Sequence, residues 1–465
     1  MFYKDTVAAI ATSSKNGSIS VIRVSGEESL KCVSKIFYND KKKNINLTSY
    51  ETHTIHYGFI CDENFEIIDE VIVLIMKSPR SYTAEDVVEI QCHGGSMICQ
   101  LVLKTLMKTG VRIAEPGEFT KRAFLNGRLD LSQAESVMDI IQADSQLALG
   151  NSLSQLRGNV KEKIKNMREM ILTDIAFLEA ALDDPEHLSL DNFSETIYSH
   201  TDILKKEISH LIKNGENGRI IKEGIKTVIV GKPNVGKSSF MNCILREERA
   251  IVTDIPGTTR DTLEEELQIG STLLRLIDTA GIHSTDDIVE NIGIEKAEKS
   301  IEEADLVLCI LDASLSLAEE DIRILEKCKD KAGIILLNKS DLKSAITELE
   351  LKKYEPLIQS KKILQFSAVT GEGLENLEQE IQNMIFKDTI DYNREIYITN
   401  LRQKQALLDT QDSLQRVFES IELGMPEDLY SIDLTDAYES LGKIIGETVE
   451  EDIIDKIFKD FCMGK

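Results

Sequence analysis

Residues Val228 to Phe240 read V-I-V-G-K-P-N-V-G-K-S-S-F, and their order decides the fold of the middle of the chain. A β-branched run, Thr227 to Val230, meets Gly231; the spacing Gly231-x4-Gly236-Lys237-Ser238 follows, and the apolar helical pattern Phe240, Met241, Ile244, Leu245 begins directly after it. Strand, glycine-rich turn and helix in that order predict a phosphate loop. Glycines let the backbone close around phosphate oxygens, and free N–H groups at a helix start receive their charge. The residues in line for this are Asn234, Val235, Gly236, Lys237, Ser238 and Ser239. Lys237 serves the β and γ oxygens, and the Ser238 hydroxyl ligates Mg²⁺.

Working outward, Asp278-Thr279-Ala280-Gly281 closes a strand, with Asp278 placed to hold the Mg²⁺ shell and the Gly281 N–H near a γ-phosphate. Asn338-Lys339-Ser340-Asp341 ends the apolar strand Ile334–Leu337. A carboxylate at Asp341 accepts two hydrogen bonds from guanine's ring N–H and amino group, whereas adenine offers no such pair; losing that contact costs roughly 1–3 kcal/mol. Lys339 covers the base with its stem, and Ser367-Ala368 supports the guanine oxygen through a backbone N–H. Between these lies Thr253-Asp254-Ile255-Pro256-Gly257-Thr258-Thr259-Arg260-Asp261, in which Thr259 is the hydroxyl to reach Mg²⁺ when GTP is bound. Taken singly, N-K-S-D is a solvated turn and D-T-A-G a common tetrapeptide; their order after a phosphate loop makes them a guanine-nucleotide set. Ile282 follows D-T-A-G, so the attacking water must be held from elsewhere.

A chain of 465 residues accommodates about three domains at roughly 150 residues each. No run of about 18 apolar residues lacks a charge, and Met1 to Ile10 has no basic-then-apolar leader, so the expectation is a soluble cytoplasmic protein without a membrane partner. Cys32, Cys61, Cys92, Cys99, Cys243, Cys309, Cys328 and Cys462 form no C-x-x-C pair, which argues against structural zinc or a disulfide framework. A net charge of -26 disfavours indiscriminate adhesion to nucleic acid, so an RNA partner requires a local basic patch or a second protein.

Residues 1–120 read as mixed α and β, with strands Ser18–Val24, Thr54–Ile60 and Val71–Met76 and a helix near Met97–Lys108. Residues 121–222 turn helical, for example Ala134–Leu149 and Val160–Leu182, with apolar residues recurring at three and four. Residues 223–386 alternate strands and helices, implying a mostly parallel sheet with ligands at the strand C-termini. Helical periodicity returns over 387–465, so the nucleotide domain reads as an insertion within a helical one. The expected fold class is multidomain α+β: an N-terminal α/β domain, a discontinuous helical domain and an inserted Ras-like α/β phosphate-loop domain.

With these residues in place, the chain closely resembles the MnmE (TrmE) family of tRNA modification GTPases over essentially its whole length. Supporting stretches outside the nucleotide motifs are Val21-Ile22-Arg23-Val24-Ser25-Gly26, Glu85-Asp86-Val87-Val88-Glu89-Ile90, His93-Gly94-Gly95, the run from Glu115 to Asn126, and the terminal Phe461-Cys462-Met463-Gly464-Lys465. The resemblance implies an N-terminal domain that binds folate and dimerises, making a homodimer. It implies that potassium replaces an arginine finger, with ligands Asn234, Thr253, Ile255 (through its carbonyl) and Thr258, and that Glu290 orients the water. Folate contacts carry over to Arg23, Glu89, Arg128 and Lys465, for a tetrahydrofolate derivative such as the 5,10-methylene or 5-formyl form. An FAD-containing partner of the MnmG type completes the implied activity, addition of an aminomethyl-type group to carbon 5 of the wobble uridine in certain tRNAs. Cys462 keeps two readings, a nucleophile or acid/base beside folate and a tail residue that merely packs. Two rival functions stay open: a ribosome-assembly GTPase, which would bind RNA directly, and a non-catalytic folate-binding scaffold.

Overall fold

The computed structural model describes residues 5–12, 17–41, 43–184, 187, 193–246, 265–270, 272–277, 299–346, 351, 353–386, 396–449, 451–459, 461 and 464. Two compact units divide the chain: Met1–Met138, Gln155–Thr201 and Asp409–Lys465 form the first, Asp139–Ser154 and Asp202–Leu408 the second.

The first unit is built on β1 (Val7–Ile10), β2 (Ile19–Ser25), β3 (Phe37–Tyr38), β4 (Thr54–Cys61), β5 (Ile67–Met76), β6 (Val87–His93) and β7 (Arg112–Ile113), in the sheet order β3-β4-β5-β6-β2-β1-β7. Alternation drives it: along β5, Val71, Val73 and Ile75 are buried while Glu70 and Ile72 are exposed. The inward residues meet Leu30 and Val33 of α1 (Ser29–Ser34) and Val102 and Leu106 of α2 (Ser96–Met107) in one core. Every pairing is antiparallel except β1 with β7, so the α/β character expected of the first 120 residues is realised as α+β. Strands β1 and β6, absent from the sequence reading, flank β2; Val7–Ile10 is short and alanine-rich, with too little alternation to stand out.

Further along, α3 (Glu118–Leu125) packs with the C-terminal helix Glu451–Lys459: Phe124, Phe458 and Phe461 share a cluster with Leu131, and Lys121 pairs with Asp455. The tail turns back on β1. A Cβ at Gly464 would lie 2.4 Å from the Ile10 carbonyl oxygen, and its φ of +88° is one that glycine adopts readily.

Ala134–Leu149, one helix by periodicity, is two: α4 (Leu131–Ile141) and α5 (Gln146–Leu156). The break comes at Ser145, whose hydroxyl accepts the Ala148 N–H at 3.0 Å and caps the second helix. Helix α6 (Asn159–Asp183) matches the expected Val160–Leu182, and α7 (Phe193–Glu223) follows.

In the second unit, β8 (Ile225–Val230), β9 (Glu265–Ile269), β10 (Thr272–Leu276), β11 (Leu306–Asp312), β12 (Gly333–Asn338) and β13 (Lys361–Gln365) form a sheet ordered β13-β12-β11-β8-β10-β9. It is parallel apart from β9 with β10, as the alternation predicts. Strands β11 and β12 are buried throughout, the pattern of central strands covered on both faces. Helix α8 (Lys237–Arg246) lays Phe240, Met241 and Ile244 on this core. Among the described residues, no helix is long and apolar enough to cross a membrane. Cys32, Cys61, Cys92, Cys99, Cys309 and Cys328 are buried as apolar residues.

Candidate nucleotide-binding site

The segment from Gly231 to Gly236 leaves the end of β8 and enters α8 at Lys237. Val235 pins it, only 1% exposed and packed in the same core as Phe240. Asn234 turns the chain with φ of +64°, and Gly236 follows at +100°. A Cβ at Gly236 would stand 2.3 Å from Asn338 Nδ2, so the loop closes only around a glycine. The Lys237 Nζ donates to the carbonyls of Gly231 and Lys232, the latter at 3.0 Å; burial pulls this ammonium below the usual lysine range. Lys232 sends its own side chain to the buried carboxylate of Asp321, 2.7 Å away at the start of helix Glu319–Cys328. Ser238 and Ser239 stand exposed in the first turn of α8.

The residues expected to read the base gather at the C-terminal ends of β12 and β13. Asn338, 1% exposed, donates through Nδ2 to the Val235 carbonyl at 2.7 Å and accepts the Ala368 N–H at Oδ1 at 3.0 Å. One buried amide therefore joins the phosphate loop to the loop after β13. Lys339 sits at φ of +65° and donates from Nζ to Asp312 Oδ2 at 2.5 Å. Ser367 donates its hydroxyl to Asp341 Oδ1 at 2.6 Å, orienting that carboxylate. Val235, Gly236, Lys237, Asn338, Lys339, Asp341, Ser367 and Ala368 are thus brought together from three stretches of sequence. Thr253, Asp254, Ile255, Pro256, Gly257, Thr258 and Thr259, then Asp278, Thr279, Ala280 and Gly281, and Glu290, lie outside the described residues.

In the first unit, Arg23 on β2 pairs with Glu89 on β6, Nε to Oε1 at 2.8 Å, across the antiparallel register that sets them opposite. The Arg23 guanidinium also lies 5.0 Å from the Tyr82 ring centroid and 5.5 Å from that of Phe119. Arg128, exposed, stacks over Tyr82 as well, at 5.0 Å. Two cations named from the sequence converge on one aromatic ring, which a hydrogen bond between its hydroxyl and Thr120 fixes at 2.9 Å. Cys462 and Lys465 lie outside the described residues.

Nearby, Arg122 is a cation of another kind. Its side chain has no exposure and meets Asp5 and Glu118 at 2.8 Å and Glu85 at 3.2 Å. Glu118 in turn takes Arg112 and the Glu115 N–H. Burial works against ionisation of Glu118, but Arg112, the Glu115 N–H and Arg122 hold its carboxyl below the usual range.

Residues 131–462 match the family described as MnmE helical domain, and residues 6–128 match GTP-binding protein TrmE N-terminus. The chain belongs to the MnmE family. It is similar to the tRNA modification GTPase MnmE of Lachnoclostridium phytofermentans, 55% identical over 461 residues with 99% of each chain covered. The MnmE of Clostridioides difficile is 48% identical over the full length of both chains, and that of Thermoanaerobacter pseudethanolicus 47% identical over 99% of each.

Three participants, two around the nucleotide motifs of the second unit and one beside Arg23 in the first, have no signal in the sequence. Asp312 is the last residue of an apolar strand, and no spacing links it to Lys339. Tyr82 lies in a polar turn with no periodicity to mark it. Lys232 was legible as a phosphate-loop residue, but its partner Asp321, 89 positions away, was not.

Proposed function

We propose that this GTP-hydrolysing tRNA modification enzyme works as a potassium-activated cytoplasmic homodimer with an FAD-containing MnmG-type partner on carbon 5 of a wobble uridine. The observation that carries the nucleotide part is Asn338, whose side chain joins the Val235 carbonyl to the Ala368 N–H and so makes one site of the phosphate and base motifs. In our reading the division of labour is 1–120 for folate binding and dimerisation, 121–222 with 387–465 for the helical domain, and 223–386 for hydrolysis.

The reaction is transfer of a phosphoryl group to water. Lys237 and the N–H groups of residues 234 to 239 neutralise charge that develops on the β and γ oxygens, and their preorganisation is what lowers the barrier. Asp341 accepts from the guanine edge, Lys339 covers the base, and the Ala368 N–H supports the guanine oxygen. Glu290 orients the attacking water, the task that Ile282 cannot perform. The loop's close fit around Gly236 suits a phosphate cradle. Ser238 and Thr259, with Asp278 behind them, would hold Mg²⁺, and Asn234, Thr253, Ile255 and Thr258 would hold K⁺. These are hard oxygen donors, and the ions supply charge neutralisation when bound.

Arg23, Arg128 and Tyr82 suit an anionic, flat ligand: two guanidinium groups for carboxylates and an aromatic face for a ring system. Glu89 accepts from the amino groups of a pterin, and Lys465 adds a further cation for a tetrahydrofolate one-carbon donor, while Cys462 keeps both of its readings.

GTP turnover in potassium against sodium at equal ionic strength tests the hydrolytic reading; faster turnover in potassium is expected, and equal rates would reject the cation assignment. Asp341→Asn should shift preference from GTP toward xanthosine triphosphate, because an amide donates to the xanthine oxygen. Unchanged preference would remove Asp341 from base reading.

A further inference from the structure

Asp312 ends β11 directly beside Asn338 in the parallel register with β12, one position before the chain turns at Lys339. Its carboxylate is only 5% exposed and fully used. Oδ1 accepts the Ser314 N–H at 3.0 Å and the Ser314 hydroxyl at 2.6 Å, and Oδ2 accepts the Lys339 ammonium at 2.5 Å. The turn carrying it is tied down on both sides, since Ala313 donates its N–H to the Asn338 carbonyl at 2.8 Å and accepts the Ala345 N–H at 2.7 Å. The carboxylate is thus a rigid anchor, and the flexible partner is the lysine.

Resting on the guanine-nucleotide reading above, we propose that Asp312 is a positioning residue for base recognition, acting through Lys339. A lysine has four rotatable carbons, and an unanchored one would sweep through many rotamers at the mouth of the site. With its head fixed on Asp312 and its Cα at the end of β12, the Lys339 stem is stretched between two neighbouring strand ends. It is thereby set as a preformed apolar surface for the base before any nucleotide arrives. The same pairing neutralises the ammonium, so that Lys339 contributes a surface rather than a charge and leaves phosphate binding to Lys237.

A double-mutant cycle on the full-length protein tests this, with Asp312→Asn, Lys339→Met and the two combined, reading GTP and GDP dissociation constants in magnesium buffer. The Asn side chain has one defined orientation: Ser314 needs an acceptor, so the amide oxygen stays there and the –NH2 group faces the ammonium. Asp312→Asn should weaken GTP and GDP by the same factor, about tenfold, as expected for loss of one charge-assisted hydrogen bond. Lys339→Met keeps a stem without the head and should lose as much by itself; Asp312→Asn in that background should lose nothing further. Additive losses would overturn the proposal, because they would mean that Asp312 acts on the fold and not through Lys339. Unchanged affinity in Lys339→Met would overturn it too, and that variant serves if Asp312→Asn does not fold. Wild-type preference for guanine over adenine nucleotides is read first. Its absence would bring down the guanine reading and this proposal together, whereas its presence with an additive cycle rejects the proposal alone.

Discussion

Arg23 and Arg122 in the first unit end on carboxylates, whereas Lys237 in the second ends on backbone carbonyls. A carbonyl offers a partial charge, so Lys237 is oriented without being neutralised and keeps its full positive charge for an incoming phosphate. Arg23 is half-committed, paired through Nε with one carboxylate and stacked on aromatic faces, with no hydrogen bond to its two terminal nitrogens among the described residues. Arg122 is wholly committed, buried and surrounded by Asp5, Glu85 and Glu118. The partner type separates cations available to an anionic ligand from cations that belong to the fold.

The sharpest way to break that distinction is Arg122→Met. Glu118 would be left buried with its compensation reduced, at a cost of about 3–5 kcal/mol, read as a lower urea midpoint. A variant as stable as wild type would show that α3 is not held by this network. Next in size, Lys237→Met should reduce GTP turnover by roughly 10²–10³-fold, the range for removing one preorganised charge stabiliser, with little change in the urea midpoint. Loss of stability without loss of turnover would move Lys237 into the structural class. For the intermediate case, Glu89→Gln should weaken binding of 5-formyl-tetrahydrofolate by about tenfold in calorimetric titration, if the carboxylate contacts the pterin. Tighter binding would mean that Glu89 is only a counter-ion that the ligand must displace.

The smallest effect is on pH dependence. Glu118 is held below the usual carboxylate range, so the stability it contributes is complete above its ordinary value and is lost as pH falls through its depressed one. Urea midpoints measured from about pH 6 down to about pH 3 should fall for wild type and fall less for Arg122→Met. Parallel curves would show that the acid sensitivity arises elsewhere.

What could be read in advance follows from which forces are local. The phosphate loop was legible because strand, glycine spacing and helix are contiguous, and the parallel sheet because β8, β11 and β12 are each followed by long connections. The split between α4 and α5 was not, because apolar residues keep helical spacing through Ala143 while the stop is a single capping hydroxyl at Ser145. The set around Arg122 was hidden for another reason: Asp5, Glu85, Glu118 and Arg122 are polar in sequence and gather around a buried guanidinium only when β1, β6 and α3 are assembled. Arg23 and Glu89 came from family resemblance, and neither their mutual pairing nor the ring of Tyr82 could be derived from spacing.

Asn338 carries a consequence for anyone wishing to retune this protein. Because a single amide braces both ends of the pocket, changing the preferred nucleobase and changing the speed of phosphate release are not separate design problems. A replacement there that loosened the proposed base end would also let the cradle breathe, and selection for a new nucleotide would be expected to collect its compensating changes around Val235 and Gly236, in the loop proposed to hold the phosphates.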